Sequence, residues 1–245
     1  MLKPLFVHVR NAVANALSRT VVTIKVHRST IVMTVVHMAR WIKKRHDEKT
    51  KEQAKACYFE RASMRGVERV FHVSRQQLAN WLKEEGDALP EDDLSSTLAE
   101  AEADDVLELD ELWSFVLKKS QKRWIWLALC RRTRQIVAYV IGDRSEATCR
   151  KLWERIPESY RHCHTFSDFW EAYQNVFPEE THQAVGKESG QTSHVERWNN
   201  TLRQRLARFV RKTLSFSKSD YFHNLVLKLF IYRYNRLRLA AISQN

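Results

Sequence analysis

An α/β domain on a mixed five-stranded sheet with flanking helices, preceded by a small all-α domain, is the architecture this sequence predicts. Three observations predict it. From Val106 to Asp143 three β-rich runs follow one another across short polar turns. From Ser145 onward helical and strand patterns alternate, and between Glu52 and Glu85 apolar residues recur at helical spacing. With 245 residues and 44% hydrophobic content the chain can bury a core of ordinary density in one or two domains.

Taken in order, residues 1–48 are basic and rich in Val, Thr and His, with neither sustained helical periodicity nor clean strand alternation, and no function is assigned to them. Residues 49–86 carry helices: Ala62, Val67, Val70 and Phe71 form one apolar set, and Leu78, Trp81 and Leu82 another. Ser74 is placed to cap the second helix, with Gln77 three residues on, as in a capping box. A short helix, a turn at 71–74 and an amphipathic helix bearing Arg75, Gln76, Asn80 and Lys83 make a helix-turn-helix, whose second helix would enter the major groove. An ordinary helical hairpin with solvated polar residues fits this segment equally well.

Residues 87–105 are predicted to be a solvated acidic linker opened by Gly86 and Pro90. Residues 106–245 follow as the main domain. Strands are expected at 106–117, 123–131 and 135–143, a helix at 145–156, a strand at 162–168, a short helix at 170–177 and a brief strand at 181–185. A loop with Gly186 and Gly190 then leads into long closing helices. The order β-β-β-α-β-α-β-α is that of a ribonuclease H-like domain.

Charge adds a partner class. Lys and Arg outnumber Asp and Glu by 41 to 29, a net charge of +12, which favours a polyanion because binding phosphates releases counterions. From Glu84 to Glu111 there are 13 acids and no base, whereas after Glu196 there are 11 Lys or Arg against Asp220 alone. That tail is expected to lie against nucleic-acid phosphates. Cys57, Cys130, Cys149 and Cys163 form no C-x-x-C pair and fit reduced thiols. No stretch is apolar enough to span a bilayer, so a cytoplasmic protein is expected.

Cleaving phosphodiesters with two metals requires carboxylates that set two cations ~4 Å apart. Asp110 lies inside an apolar strand (Leu107, Leu109, Leu112, Trp113), where an acid is costly without a partner. Alternation puts Glu108, Asp110 and Leu112 on one face, so Glu108 is a rival and Glu111 points the other way. Asp168 ends a strand, where a helix-capping role is an equal alternative. Glu196 shares a helix with Arg203, two turns on, along an apolar stripe of Val195, Trp198, Leu202, Leu206 and Phe209; a surface ion pair is the plainer reading. His162 and His164 flank Cys163, but strand geometry turns the cysteine away from them. His194 could orient a water or touch phosphate.

Leu109-Asp110-Glu111, Ser167-Asp168-Phe169-Trp170 with Tyr173, His194-Val195-Glu196-Arg197-Trp198-Asn199, and Leu206-Ala207-Arg208 running to 211–219 together resemble the transposases of the insertion-sequence-one family, within the wider DDE group. The resemblance spans roughly residues 60–235. It implies Asp110, Asp168 and Glu196 as catalytic metal ligands, two Mg²⁺ or Mn²⁺ ions, and Arg203 as the basic residue seven past the glutamate. It further implies a prokaryotic, nucleoid-associated enzyme, at least dimeric on DNA, that cleaves transposon terminal inverted repeats and joins the freed ends to target DNA. Arg75, Gln76, Asn80, Lys83, Arg203, Arg208, Arg211 and Lys212 are the expected DNA contacts. A non-catalytic helix-turn-helix repressor and a nuclease without strand transfer remain the alternatives. Phe169 stands where the family commonly has glycine after the second aspartate.

Overall fold

The structure, a computed structural model, describes residues 22–26, 29–33, 46–90 and 93–244. In the first 47 residues, which form their own unit, β1 (Val22–Val26) pairs antiparallel with β2 (Ser29–Met33), Val22 opposite Met33 and Val26 opposite Ser29. These strands lie in the segment where no regular pattern is evident from sequence. Both are dominated by β-branched residues, whose restricted χ1 favours extended backbone.

Residues 48–245 form a second compact unit. It begins with α1 (Glu48–Tyr58), α2 (Met64–Phe71) and α3 (Arg75–Asp87). Ser63 and Ser74 cap α2 and α3, their hydroxyls accepting from the Gly66 and Gln77 amides at 3.0 and 3.1 Å. His72 closes α2 in the left-handed conformation, φ 54°, so the chain reverses within three residues. Val67, Val73, Leu78, Trp81 and Leu82 are buried and Ala62 and Phe71 partly so, but Val70, placed by its spacing on the same apolar face, is exposed; Arg75, Gln76, Asn80 and Lys83 are exposed as well.

The sheet follows: β3 (Val106–Phe115), β4 (Lys122–Cys130) and β5 (Ile136–Gly142) form an antiparallel meander. After α4 (Glu146–Arg155), β6 (His164–Ser167) returns parallel to β3; after α5 (Glu171–Val176), β7 (His182–Ala184) lies parallel to β6. The strand order is β5-β4-β3-β6-β7. Helices α6 (Ser193–Arg205) and α7 (Asp220–Ile242) complete the unit. This mixed five-stranded sheet with flanking helices fits a ribonuclease H-like fold.

Each strand divides its residues between two cores, as a period of two requires. On one face Leu107, Leu109, Trp126 and Ala128 meet Cys149 and Leu152 of α4 and Tyr173 of α5. On the other, Leu112, Ile125 and Leu127 meet Val195 and Trp198 of α6, Phe230 of α7, and Leu78 and Leu82 of α3. The helical segment and the sheet therefore share one core. Helix α3 crosses α7 closely: a Cβ on Gly86 would stand 2.2 Å from Leu225 Cδ1. Glu85 bridges Lys55 and Arg233 across the same seam.

The acidic segment, expected to be a solvated linker, is instead a packed strap. Leu94 and Thr97 are buried, Tyr160 Oη donates to Ala99 O at 2.9 Å, and Gln135 Nε2 donates to Thr97 O at 2.7 Å. Asp105 is buried against Arg132 (2.7 Å). Among its described residues, Glu100, Glu102 and Asp104 are exposed while Leu94 and Thr97 hold the segment down. The four cysteines are free thiols, three of them buried. Among the described residues no helix is long and apolar enough to cross a membrane.

Candidate active site

Two sheet neighbours and one helix set the three expected acids near one another. The β3–β6 register pairs Glu108 with Phe166, so two residues further it sets Asp110 beside Asp168. Helix α6 lies against β3 and brings Glu196 to the same end. Burial first, then the charges of Glu111, Asp168 and Glu196, push the Asp110 carboxyl up to about 7. Burial makes the larger part of this rise, and the neighbouring acids add to it. The other strand acid, Glu111, faces the opposite side as alternation requires: Tyr173 Oη donates to it at 2.9 Å and Arg144 Nε at 2.7 Å.

Among the described residues no three His, Cys, Asp or Glu side chains are gathered closely enough, as they stand, to hold a metal ion. Each expected ligand turns to a protein donor instead. Asn199 Nδ2 donates to Asp110 Oδ2 at 2.7 Å, the Trp170 amide donates to Asp168 Oδ1 at 3.0 Å, and Thr192 Oγ1 donates to Glu196 Oε1 at 3.2 Å. Repulsion between carboxylates favours such an arrangement. The chemistry of the donor set, carboxylate oxygens only, is that of a hard cation's ligands. Arg203 is half-buried near Asp110, and its Nε has no hydrogen-bond partner.

Glu108, the rival on the same face, has a different task. Fully buried, it accepts from the backbone amides of His194 (2.8 Å) and Val195 (3.1 Å), from His194 Nδ1 (2.6 Å) and from Arg131 Nε (2.8 Å). A carboxylate here satisfies two of the orphan amides at the start of α6 and meets the positive end of its dipole. It fastens to β3 the first turn of the helix that carries Glu196. His194, considered for water or phosphate, is engaged in this clasp. Glu108→Ala is expected to cost roughly 2–4 kcal/mol, because it strands the two amides and Arg131; urea unfolding measures it, and a loss below ~1 kcal/mol would remove the clasp from the account.

Several residues stand apart from their expected places. Helix α6 ends at Arg205; Leu206, extended, and Phe209, in the short 3₁₀ segment that follows, are buried beyond it. Arg208, expected on a DNA-facing tail, is buried: its Nε donates to Tyr58 Oη at 2.8 Å and its Nη1 to Ser217 Oγ at 3.2 Å. Four further tail bases have internal partners: Arg205 with Glu60, Lys228 with Leu89 O, Arg233 with Glu85 and Arg238 with Thr133 O. Arg211 and Lys212 are exposed, Arg211 with its guanidinium 5.2 Å from the Trp113 ring centre. Gln76 and Asn80 hydrogen-bond each other at 2.9 Å, and Lys83 Nζ lies 5.4 Å from the Tyr221 ring centre.

Two features escape single-residue reasoning. Asn199 holds Asp110 from one turn beyond Glu196, an i, i+3 placement on one helix face that spacing could have revealed. Arg65, Arg69 and Arg75 border a groove of about 850 Å³ shared with Lys218 and Leu214, a basic surface assembled from segments 140 residues apart that no local pattern announces. The His162-Cys163-His164 combination holds no metal-like cluster, with Cys163 buried.

Comparison with known proteins places this arrangement. Residues 105–236 match the family model described as IS1 transposase. The chain is 39% identical over 126 residues to the insertion element iso-IS1n protein InsB of Shigella dysenteriae, covering 51% of this chain and 93% of that protein. It is 38% identical over 120 residues to the insertion element IS1 protein InsB of Shigella flexneri, covering 49% and 88%. With the insertion element IS1 4 protein InsB of Escherichia coli (strain K12), identity is 37% over 120 residues, covering 49% and 70%. The matched span runs from the start of β3 into α7, so it contains the whole sheet and all three acids, and the chain belongs to the IS1 transposase family.

Proposed function

We propose that this chain is a DDE transposase that cleaves the ends of its element and joins them to target DNA, with Asp110, Asp168 and Glu196 holding two Mg²⁺ or Mn²⁺ ions. The observation that carries this reading is the placement of the three acids: Asp110 on β3 next to the strand that Asp168 follows, and Glu196 on the helix packed against β3, close enough for Asp168 and Glu196 to act on the Asp110 charge. Bound there, the cations would activate the attacking oxygen and stabilise the leaving one. The protein's part is positional. Glu108 fixes the α6 start, Asn199 orients Asp110, and Arg203 stands where a scissile phosphate's charge would be met.

Helices α2 and α3 are read as a helix-turn-helix that recognises the terminal repeats, with Arg75, Gln76, Asn80 and Lys83 facing DNA and Arg211 and Lys212 on phosphates. Two capped helices joined by a three-residue turn, with those polar side chains exposed, support it. Gln76→Ala and Asn80→Ala are expected to erode preference for end DNA over random duplex, with ~1–3 kcal/mol of discrimination lost. Competition binding measures this, and equal weakening toward both DNAs would move base readout elsewhere. Because the family acts on two ends, a dimer or larger assembly on DNA is expected.

A strand-transfer assay tests the reading: a labelled duplex bearing the element's free 3′-hydroxyl end is incubated with supercoiled plasmid and Mg²⁺. Joined product supports a transposase. Nicked plasmid without joining would favour a nuclease, and binding without either product would favour a repressor.

A further inference from the structure

Beside Asp168 the chain builds a cavity of about 330 Å³ lined by Arg144, Asp168, Phe169, Trp170, Val185 and Lys187, with Gly186 at its wall. Phe169 is 66% exposed at its edge, a large ring left mostly in water beside Trp170 and Val185. The rest of the wall is held firmly. Arg144 is clamped between two indoles, its guanidinium 4.0 Å from the Trp170 ring centre and 4.8 Å from that of Trp124, while it pairs with Glu111. Asp168 accepts from the Trp170 amide two residues on, at 3.0 Å. Lys187, exposed on the loop after β7, brings a cation to the other side of the cavity.

We infer that this cavity is a single-nucleotide subsite: Phe169 stacks on one unpaired base of the DNA end being processed, and Lys187 binds a phosphate next to it. The inference rests on the transposase reading above and names the substrate part met on the Asp168 side. An exposed aromatic ring offers a face that every base can stack on without regard to sequence. Inside a duplex both faces of a base are already covered, so Phe169 can gain that contact only from a base that leaves the stack. Terminal base pairs at a DNA end are the least costly to open. The arrangement thus selects frayed or opened ends over continuous duplex, and it does so beside Asp168, the residue that follows β6.

Anisotropy titrations of the full chain in EDTA, so that nothing is cleaved, provide the test. The probes are a duplex with a two-nucleotide unpaired 3′ end and the same duplex with abasic sites at those two positions. The wild-type chain is expected to bind the first about tenfold or more tightly. Phe169→Ala should erase that preference with an unchanged melting temperature, since the ring is exposed, and Phe169→Trp should retain it. Lys187→Ala should weaken both probes and flatten the salt dependence by roughly one unit. A wild-type chain indifferent to the bases, or a Phe169→Ala variant that keeps the preference, would overturn the subsite. Asp168→Asn separates the two readings: it should keep the base preference even though strand transfer is lost. A base preference that persists while the wild-type chain neither cuts nor joins DNA would leave the subsite standing and refute the transposase reading.

Discussion

Asp110→Asn is expected to reduce end cleavage by on the order of a thousandfold or more, and at the same time to make the metal-free protein more stable. The loss follows from removing a charge that every bound cation would share. The gain follows from the pH linkage. The folded-state carboxyl, at about 7, keeps its proton through a range where the unfolded chain, near 3.8, has released it. Stability therefore falls as pH rises from about 4 to about 7, and above that the ionised Asp110 costs on the order of a few kcal/mol. Asparagine bears no such cost and can still accept from Asn199. Denaturant curves without divalent cations should place the variant above wild type at pH 8 and level with it near pH 4. Adding Mn²⁺ should then stabilise the wild type and leave the variant unmoved. A variant equal to wild type at pH 8 would show that Asp110 is not electrostatically strained.

The second large effect separates the arginines of the basic tail. Arg208→Ala is expected to destabilise the fold by roughly 2–4 kcal/mol, because it leaves the buried Tyr58 hydroxyl without its partner, takes one of two partners from Ser217 Oγ, which keeps His223, and opens a gap between the Tyr58 and Phe222 rings. Its effect on DNA affinity should be no larger than the loss of folded protein explains. Arg211→Ala combined with Lys212→Ala should leave stability within about 0.5 kcal/mol and flatten the salt dependence of DNA binding by roughly two units, one for each phosphate contact. Arg203→Ala should lower the cleavage rate at saturating DNA more than it lowers affinity. Thermal melts and salt-series titrations on the same preparations decide among them. An Arg208 variant that is stable but binds DNA poorly would return that residue to the DNA surface.

The sheet was legible because its signals are local. The β3–β7 boundaries fall within three residues of those expected, since alternating β-branched and aromatic residues are cut by polar turns, and Ser74 and Ser145 announce their helices. The separation of Glu108, Asp110 and Glu111 between faces was legible for the same reason. What escaped depends on partners far along the chain. Arg208 is one base in a basic run, and only the fold brings Tyr58, 150 residues away, to receive it. The acidic strap looks solvated because its acids dominate composition, although Leu94 and Thr97 decide where it lies. Helix α6 ends at Arg205 although the apolar spacing continues to Phe209, because Leu206 takes extended backbone, φ −119° and ψ 103°, and the chain resumes as a 3₁₀ turn.

If Asp110, Asp168 and Glu196 hold the metal ions that drive DNA cutting and joining, anomalous diffraction from crystals of the chain grown with Mn²⁺ will locate those ions. The predicted result is two peaks about 4 Å apart within ligand distance of those three carboxylates, with Asp110 rotated away from Asn199 and the Glu108 clasp on α6 undisturbed. Manganese seated instead at Glu108 and His194, or no peak at Asp110 at millimolar Mn²⁺, would contradict it.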